Sequence, residues 1–405
     1  MVLEICISKG DNMSLNIKKI TIGFFGVRNS GKSSLINAIA NQEVSVVSDT
    51  LGTTTDNVKK AMELQPIGPV VLIDTPGIDD EGELGNKRIL QTKKILRSCD
   101  IAVLVTESGR NLLEEEINLI KEFEKNNTPY LEVKNKMDLG KSSKGILVSA
   151  KTKEGIEELK NYLANFIKRN IGENKRFVGD LLKEKDLVIL VTPIDSGAPK
   201  DRLILPQQLA IKDILDSHAV AMVIQVEELE SVLQSLKENP KLVITDSQVF
   251  KQVEEILPKE TPLTSFSILM ARYKGFLDVA CKGAKKIDDL NENSKVLICE
   301  GCTHHRQCDD IGTVKIPKLL KKYTGQKLKF EWTSGADFPD NLEKYDLIIH
   351  CGGCMLNDKE MIYRKEEALK KNVPFTNYGI VLAYLNKILD RAVSPLTLHK
   401  TKQAL

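Results

Sequence analysis

The sequence predicts an α/β chain of three domains, the first built on a doubly wound, mostly parallel sheet. Two observations predict it. Before residue 172, four strand-like runs (KKITIGFFG, PVVLIDTPG, DIAVLVTES and TPYLEVKNK) each lead into a helix-length amphipathic stretch. That alternation is the signature of a parallel sheet covered by helices on both faces. After a polar stretch it resumes twice, once from about Asp186 and once beyond Thr264.

The expected division is a first domain over 1–171, a linker over 172–185, a second domain over 186–264 and a third over 265–405. In the second segment, DLVILVTPI, AVAMVIQ and PKLVITD are the strand-like runs. So many apolar residues in so short a segment suggest a core plus a buried interface, hence self-association; a plain spacer domain reads equally well. The third opens with a helix near Thr264–Lys282, and KVLICEGC, KLKFEW and YDLIIHCGGC follow as strands. No repeat of 20–50 residues is visible.

The 405 residues carry 58 basic and 56 acidic side chains, a net charge of +2, which gives no electrostatic case for nucleic acid as a partner. The N-terminus lacks a secretory leader's apolar core, and no apolar run is long enough for a bilayer. The expectation is a cytoplasmic protein with no membrane partner. Its eight cysteines are then reduced, and clustered ones are read as metal ligands or reactive thiols first.

Gly26-Val-Arg-Asn29-Ser30-Gly31-Lys32-Ser33 fits G-x-x-x-x-G-K-[ST] between a strand and a helix, the context of a P-loop; Ser34 follows it. Backbone N–H groups there wrap phosphate, Lys32 neutralises it, and the Ser33 hydroxyl binds Mg²⁺. Asp74-Thr-Pro-Gly77 ends a strand, with Asp74 behind the Mg²⁺ and the Gly77 N–H toward the γ-phosphate. In Asn135-Lys136-Met-Asp138 the last carboxylate accepts from guanine nitrogens that adenine lacks as donors. Ser149-Ala150-Lys151 receives the guanine carbonyl, and Thr54, with Thr53 second, is the switch threonine and a Mg²⁺ ligand. The first domain is therefore read as a P-loop GTPase binding GTP and GDP, with Lys32, Thr54, Gly77 and Asn29 carrying the catalysis. Its motifs resemble the Era, EngA and MnmE group. Ile78 stands where Ras-like proteins hold a water-orienting glutamine, so hydrolysis is expected to be slow. The resemblance also implies that Asn29 holds a K⁺ ion, which supplies positive charge at the developing leaving group.

Cys302-Thr-His304 and His350-Cys351-Gly-Gly-Cys354, 45 residues apart, form the second constellation. Three thiolates, Cys302, Cys351 and Cys354, suit a [4Fe–4S] cluster with one iron free of cysteine. His304 and His350 are candidates for the fourth or a labile ligand, with Glu300 an outside one. Zinc stays open, because Cys299-Glu-Gly-Cys302 also makes two C-x-x-C pairs. The 48-residue gap and the strand position of Cys299 weigh against zinc. Cys308 is left undecided.

The combination resembles the HydF family of [FeFe]-hydrogenase maturation GTPases, along essentially the whole chain. Gly301-Cys-Thr-His-His305, Asp309-Asp-Ile-Gly312 and Val314-Lys-Ile-Pro317 carry the resemblance. It implies a small α/β dimerisation domain giving a homodimer and a C-terminal α/β iron–sulfur domain with the cluster on the three cysteines. It further implies a transient di-iron precursor, made with two radical-SAM maturases and delivered to apo-[FeFe]-hydrogenase. The contrasting expectation is an RNA-associated GTPase of tRNA modification or ribosome assembly, with a zinc domain.

Overall fold

The computed structural model describes residues 20–40, 59–77, 83–140, 145–171, 175–193, 203–301, 310–335, 337–354 and 356–397. The first unit runs β1 (Ile20–Phe25), α1 (Lys32–Ala40), β2 (Lys59–Leu64), β3 (Gly68–Asp74), α2 (Glu83–Ser98), β4 (Ile101–Glu107), α3 (Glu114–Lys125), β5 (Tyr130–Asn135), β6 (Ile146–Leu147) and α4 (Ile156–Ile171). The sheet order is β2-β3-β1-β4-β5-β6, parallel except for β2 against β3. Alternate side chains of the central strands feed two cores. Ile22, Phe24, Val103 and Val105 meet residues of α1 and α4 on one face. Phe25, Ala102 and Leu104 meet Leu119 and Phe123 of α3 on the other. Burial on both faces is why β1 and β4 read as unbroken apolar runs. The sequence gives no such run for β2, an edge strand that alternates exposed and half-buried residues.

The second unit runs β7 (Leu187–Val191), α5 (Leu205–Asp216), β8 (Val220–Ile224), α6 (Leu229–Ser235), β9 (Leu242–Thr245), α7 (Phe250–Ile256), β10 (Leu263–Ser265) and α8 (Phe266–Tyr273). Phe177, Val178 and Gly179 also belong to it. Their backbone N–H groups all donate to Asp213 Oδ2, at 2.7–2.8 Å, and the first two side chains enter its core. The third unit runs α9 (Leu277–Ala284), β11 (Lys295–Glu300), α10 (Ile316–Thr324), β12 (Lys329–Ser334), β13 (Leu347–His350), α11 (Asp358–Lys370), β14 (Phe375–Asn377), α12 (Tyr378–Leu385) and α13 (Leu389–Thr397). The single helix expected over 264–282 is two, α8 and α9, because the chain turns at Gly275 with φ of 78°.

These two units share one topology. Both are all-parallel four-stranded sheets, ordered β10-β9-β7-β8 and β14-β13-β11-β12. Register agrees too: Val191 pairs with Thr245 and Thr245 with Ser265, just as Cys299 pairs with His350 and His350 with Asn377. The last strand and helix repeat in sequence, PLTSFSILMA from Pro262 against PFTNYGIVLA from Pro374. Each helix is capped by its first polar residue, Ser265 accepting from the Ile268 N–H and Asn377 from that of Ile380. Each ends in a left-handed residue, Gly275 or Lys387. The copies meet through these helices, where a Cβ on Gly379 would lie 2.3 Å from the Ser267 Cβ. One continuous core runs through both.

All three units meet at the start of α11. Asp358 receives Lys175 at 2.8 Å and Lys274 at 3.6 Å. Asn357 donates to the Ser98 carbonyl, Lys359 reaches Thr128 Oγ1 at 2.9 Å, and Arg97 lies 4.4 Å from the Tyr363 ring centre. The nucleotide unit thus rests on the helix that follows the cysteine loop.

Candidate functional sites

The first site lies at the carboxyl ends of β1, β3 and β5. The chain leaves β1 through Gly26 and folds back through Asn29 and Gly31, with φ of 149°, 60° and 89°. A Cβ on Gly26 would meet the Val105 carbonyl at 2.4 Å, and one on Gly31 the Asn135 Nδ2 at 2.2 Å. Lys32 is buried, its ammonium donating to the carbonyls of Gly26 at 3.0 Å and Val27 at 2.7 Å. That holds a cation across the mouth of a loop of N–H donors. Ser33 Oγ donates to Asp74 Oδ2, while Asp74 Oδ1 is buried without a hydrogen-bond partner. An orphaned carboxylate oxygen beside a hydroxyl is the donor set of a hard cation such as Mg²⁺. Ser34 is exposed on the next position of α1, and Gly77 is half-buried just past Thr75, whose hydroxyl donates to the Phe24 carbonyl at 2.6 Å.

The base-binding end is knitted to the P-loop by Asn135. Its Nδ2 donates to the Ser30 carbonyl and its Oδ1 accepts from the Ala150 N–H, both at 3.0 Å. Ser149 Oγ donates to Asp138 Oδ1 at 2.7 Å, and this bond holds the carboxyl below its usual pKa. Asp138 is thus an ionised acceptor aimed by a neighbour, and Lys151 is exposed beside it. Lys136, with φ of 62°, pairs its ammonium with Glu107. Glu107 had no motif to mark it; only its place at the end of β4, beside β5 in the sheet, could have. Thr53, Thr54 and Ile78 lie outside the described residues.

The second site lies at the carboxyl ends of β11 and β13. The Cys351 N–H donates to the Cys299 carbonyl at 2.8 Å, continuing the ladder past His350. Cys351 Sγ then accepts two backbone N–H groups, from Gly301 at 3.1 Å and Gly353 at 3.3 Å. A Cβ on Gly301 would fall 3.5 Å from the Gly353 Cα, so the loop leading to Cys302 lies against the loop leading to Cys354. Cys351 and Cys354 are half-buried. Cys299 is wholly buried within β11, which pushes its thiol pKa far up. Glu300 is buried too, its Oε1 accepting from Tyr378 at 3.2 Å. Cys302, His304 and Cys308 lie outside the described residues, and the described ones alone bring no three metal-ligating side chains together.

His350 is completely buried, with Nδ1 2.8 Å from the Cys351 carbonyl and Nε2 3.1 Å from Arg364 Nη1. Burial, then the guanidinium, pushes its pKa down to about 3, so the ring is neutral. Arg364 is as deeply buried, and its other donors reach Glu360 Oε1 at 2.8 Å and the Gly335 carbonyl at 2.7 Å. In sequence it stood in the charged run YRKEE, indistinguishable from a solvated helix face.

Residues 177–275 match the family described as the hydrogen maturase F dimerization domain, and 278–395 that described as its tetramerization domain. Residues 21–136 match the 50S ribosome-binding GTPase family. The tRNA modification GTPase MnmE of a Thermoanaerobacter species is 33% identical over 178 residues, 40% of this chain and 36% of that protein. MnmE of Aquifex aeolicus is 29% identical over 164 residues, 38% of this chain and 36% of its own. The chain thus spans little over a third of the length of these relatives. Among solved structures, Era of Aquifex aeolicus bound to GDP and aluminium fluoride has 16% identity and a TM-score of 0.32, covering 54% of this chain and 98% of that one. The G domain of the FeoB iron transporter of T. maritima has 22% identity and a TM-score of 0.29, covering 36% and 98%. No described helix is long and apolar enough to cross a membrane.

Proposed function

The chain belongs to the hydrogen maturase F family, a hydrogenase-maturation GTPase with an Era/MnmE-type nucleotide domain, and on that premise we propose the finer function. It is a scaffold that holds a [4Fe–4S] cluster on Cys302, Cys351 and Cys354, hosts the di-iron precursor made with two radical-SAM maturases, and delivers it to apo-[FeFe]-hydrogenase. The observation that carries this reading is the paired loop at the strand ends. Backbone N–H groups already converge on Cys351 Sγ, as they do on the sulfurs of iron–sulfur sites. Gly301, the residue before the third cysteine, lies alongside Gly353. A cluster held by three cysteines supplies one exchangeable iron position, which a carrier needs. Of the chain's own groups, Cys351 and Cys354 bind, Gly301 and Gly353 orient, and His304 is the motif residue left for the open position. Anaerobic reconstitution followed by iron, sulfide and zinc analysis tests this. Stoichiometric zinc with no iron overturns it. Nothing concerning RNA carries over from the MnmE relatives, since they match the nucleotide unit alone.

In the nucleotide unit, the P-loop N–H groups and Lys32 bind the phosphates, Ser33 and Asp74 hold Mg²⁺, and Asp138 selects guanine. With Ile78 in place of a glutamine, hydrolysis is slow and depends on K⁺ held by Asn29. The expected rate is roughly 10-fold higher in K⁺ than in Na⁺, from one more positive charge at the leaving oxygen. Asn29→Gly, which keeps the left-handed backbone but removes the carboxamide, should abolish that difference. Equal rates of the parent in both salts would refute the K⁺ role.

The homodimer forms on β8. Among the described residues this strand is the free edge of its sheet, and Val220 and Val223 are 51% and 43% exposed on it. An unpaired apolar edge invites a second strand. Val223→Lys should raise the dimer Kd about 100-fold, because like charges facing across an interface cost several kcal/mol. Analytical ultracentrifugation reads this directly, and an unchanged dimer fraction would move the interface elsewhere.

A further inference from the structure

We propose that Arg364 is the positioning residue of the cysteine loop, acting through His350, and that His350 is therefore not an iron ligand. The inference rests on the cluster reading above. A guanidinium is always charged and can only donate. His350 Nε2, 3.1 Å from Nη1, must then accept, which places the ring proton on Nδ1, where it donates to the Cys351 carbonyl at 2.8 Å. Neither nitrogen keeps a free lone pair for iron. The ring instead fixes the peptide that follows Cys351, and so the direction in which Cys351 leaves β13.

Arg364 also ties the neighbouring strand end. Its Nη2 holds the Gly335 carbonyl, while the Gly335 N–H holds the Glu300 carbonyl at 2.9 Å. The guanidinium therefore bridges the chain leaving β12 to the end of β13, on either side of the Glu300–Gly301 exit toward Cys302. Glu360 balances its charge, and the Phe338 ring covers it, 5.2 Å away. A buried ion pair is seldom the cheapest way to fill a core.

The other copy of this unit shows that the fold does not require the pair. Register sets Thr245 opposite Val191 where His350 stands opposite Cys299. Counted from the first residue of α7 and α11, the fourth positions are the fully buried Val253 and Met361, and the seventh are Ile256 and Arg364. The copy whose loop begins Asp246-Ser247-Gln248, without a cysteine, thus has neither the histidine nor the arginine.

The test uses the full-length protein and the variants Arg364→Met, Arg364→Lys, His350→Gln and His350→Leu. Two readouts are taken: iodoacetamide alkylation of Cys351 in metal-free protein, followed by mass spectrometry, and iron retention with nitrogen hyperfine coupling in the EPR of reconstituted protein. Glutamine can both accept from Arg364 and donate to the Cys351 carbonyl, so His350→Gln should keep parental alkylation, iron and nitrogen coupling. Arg364→Met should lose roughly 10-fold or more in iron retention, the usual consequence of removing a group that orients a ligand, with faster alkylation of Cys351. Arg364→Lys should recover only part, since an ammonium cannot span both carbonyl and imidazole. A strong nitrogen coupling in the parent that vanishes in His350→Gln overturns the proposal, as does parental behaviour of Arg364→Met. If Arg364→Met does not fold, His350→Leu decides: faster alkylation supports the proposal and a parental rate overturns it. A parent that takes up no iron refutes the cluster reading, while the alkylation rates still decide the positioning role.

Discussion

Replacing Cys302, Cys351 or Cys354 singly with serine is expected to abolish the [4Fe–4S] centre while GTP hydrolysis continues at the parental rate. With three thiolates on four irons, losing one leaves two irons without a cysteine anchor. Cys351 should be the most sensitive, because its sulfur already accepts two backbone N–H groups that no hydroxyl would align in the same way. Hydrolysis survives because the phosphate loop lies on a separate sheet. Cys299→Ser is the control. Its side chain sits inside β11 and cannot reach the crevice without breaking the ladder to β13. The cluster should stay, and folding stability should fall by about 1–3 kcal/mol for burying a hydroxyl without a partner. Iron and sulfide analysis with EPR on each variant reads the first outcome, and urea unfolding the second. Full iron in Cys302→Ser with loss in Cys299→Ser would exchange the roles of the two.

Lys32→Ala is expected to lower GTP hydrolysis by about 10²–10³-fold, the range found when one preorganised donor is taken from developing charge. The effect is large because the ammonium is buried and pinned by two carbonyls, so nothing else in the loop replaces it. Iron content after reconstitution should be unchanged. Steady-state hydrolysis and equilibrium binding of a fluorescent GDP analogue separate lost catalysis from lost affinity. A rate within a few-fold of the parent would remove Lys32 from the mechanism.

The candidate nucleotide site was legible because each role expected of it falls on a few consecutive residues. A phosphate loop needs glycines at fixed offsets, and Gly26 and Gly31 are where the backbone admits no Cβ. The central strands were legible for a similar reason, since burial on both faces leaves unbroken apolar runs. The parts that were not legible depend on distance in sequence. β10 and β14 are three residues each, too short for a periodic signal, and exist because a neighbouring strand, β9 or β13, offers its edge. Arg364 is 14 residues from its histidine and 29 from its glycine, and its helix is charged on every side. The likeness of the two C-terminal units hides in register, because apart from the stretches at Pro262 and Pro374 few identities recur.

That likeness gives the molecule an internal control. Set side by side, the halves sort their residues into two classes. The proline before the last strand, the capping residue and the small Ala271 and Ala383 occur in both, and are what a sheet of this shape costs any sequence. Cys351, His350 and Arg364 occur in one only, over Asp246, Thr245 and Ile256, and are particular to that half. A designer who wished to write a second cysteine crevice into this chain would find its outline at the ends of β7 and β9, with the differences from the first already spelled out residue by residue.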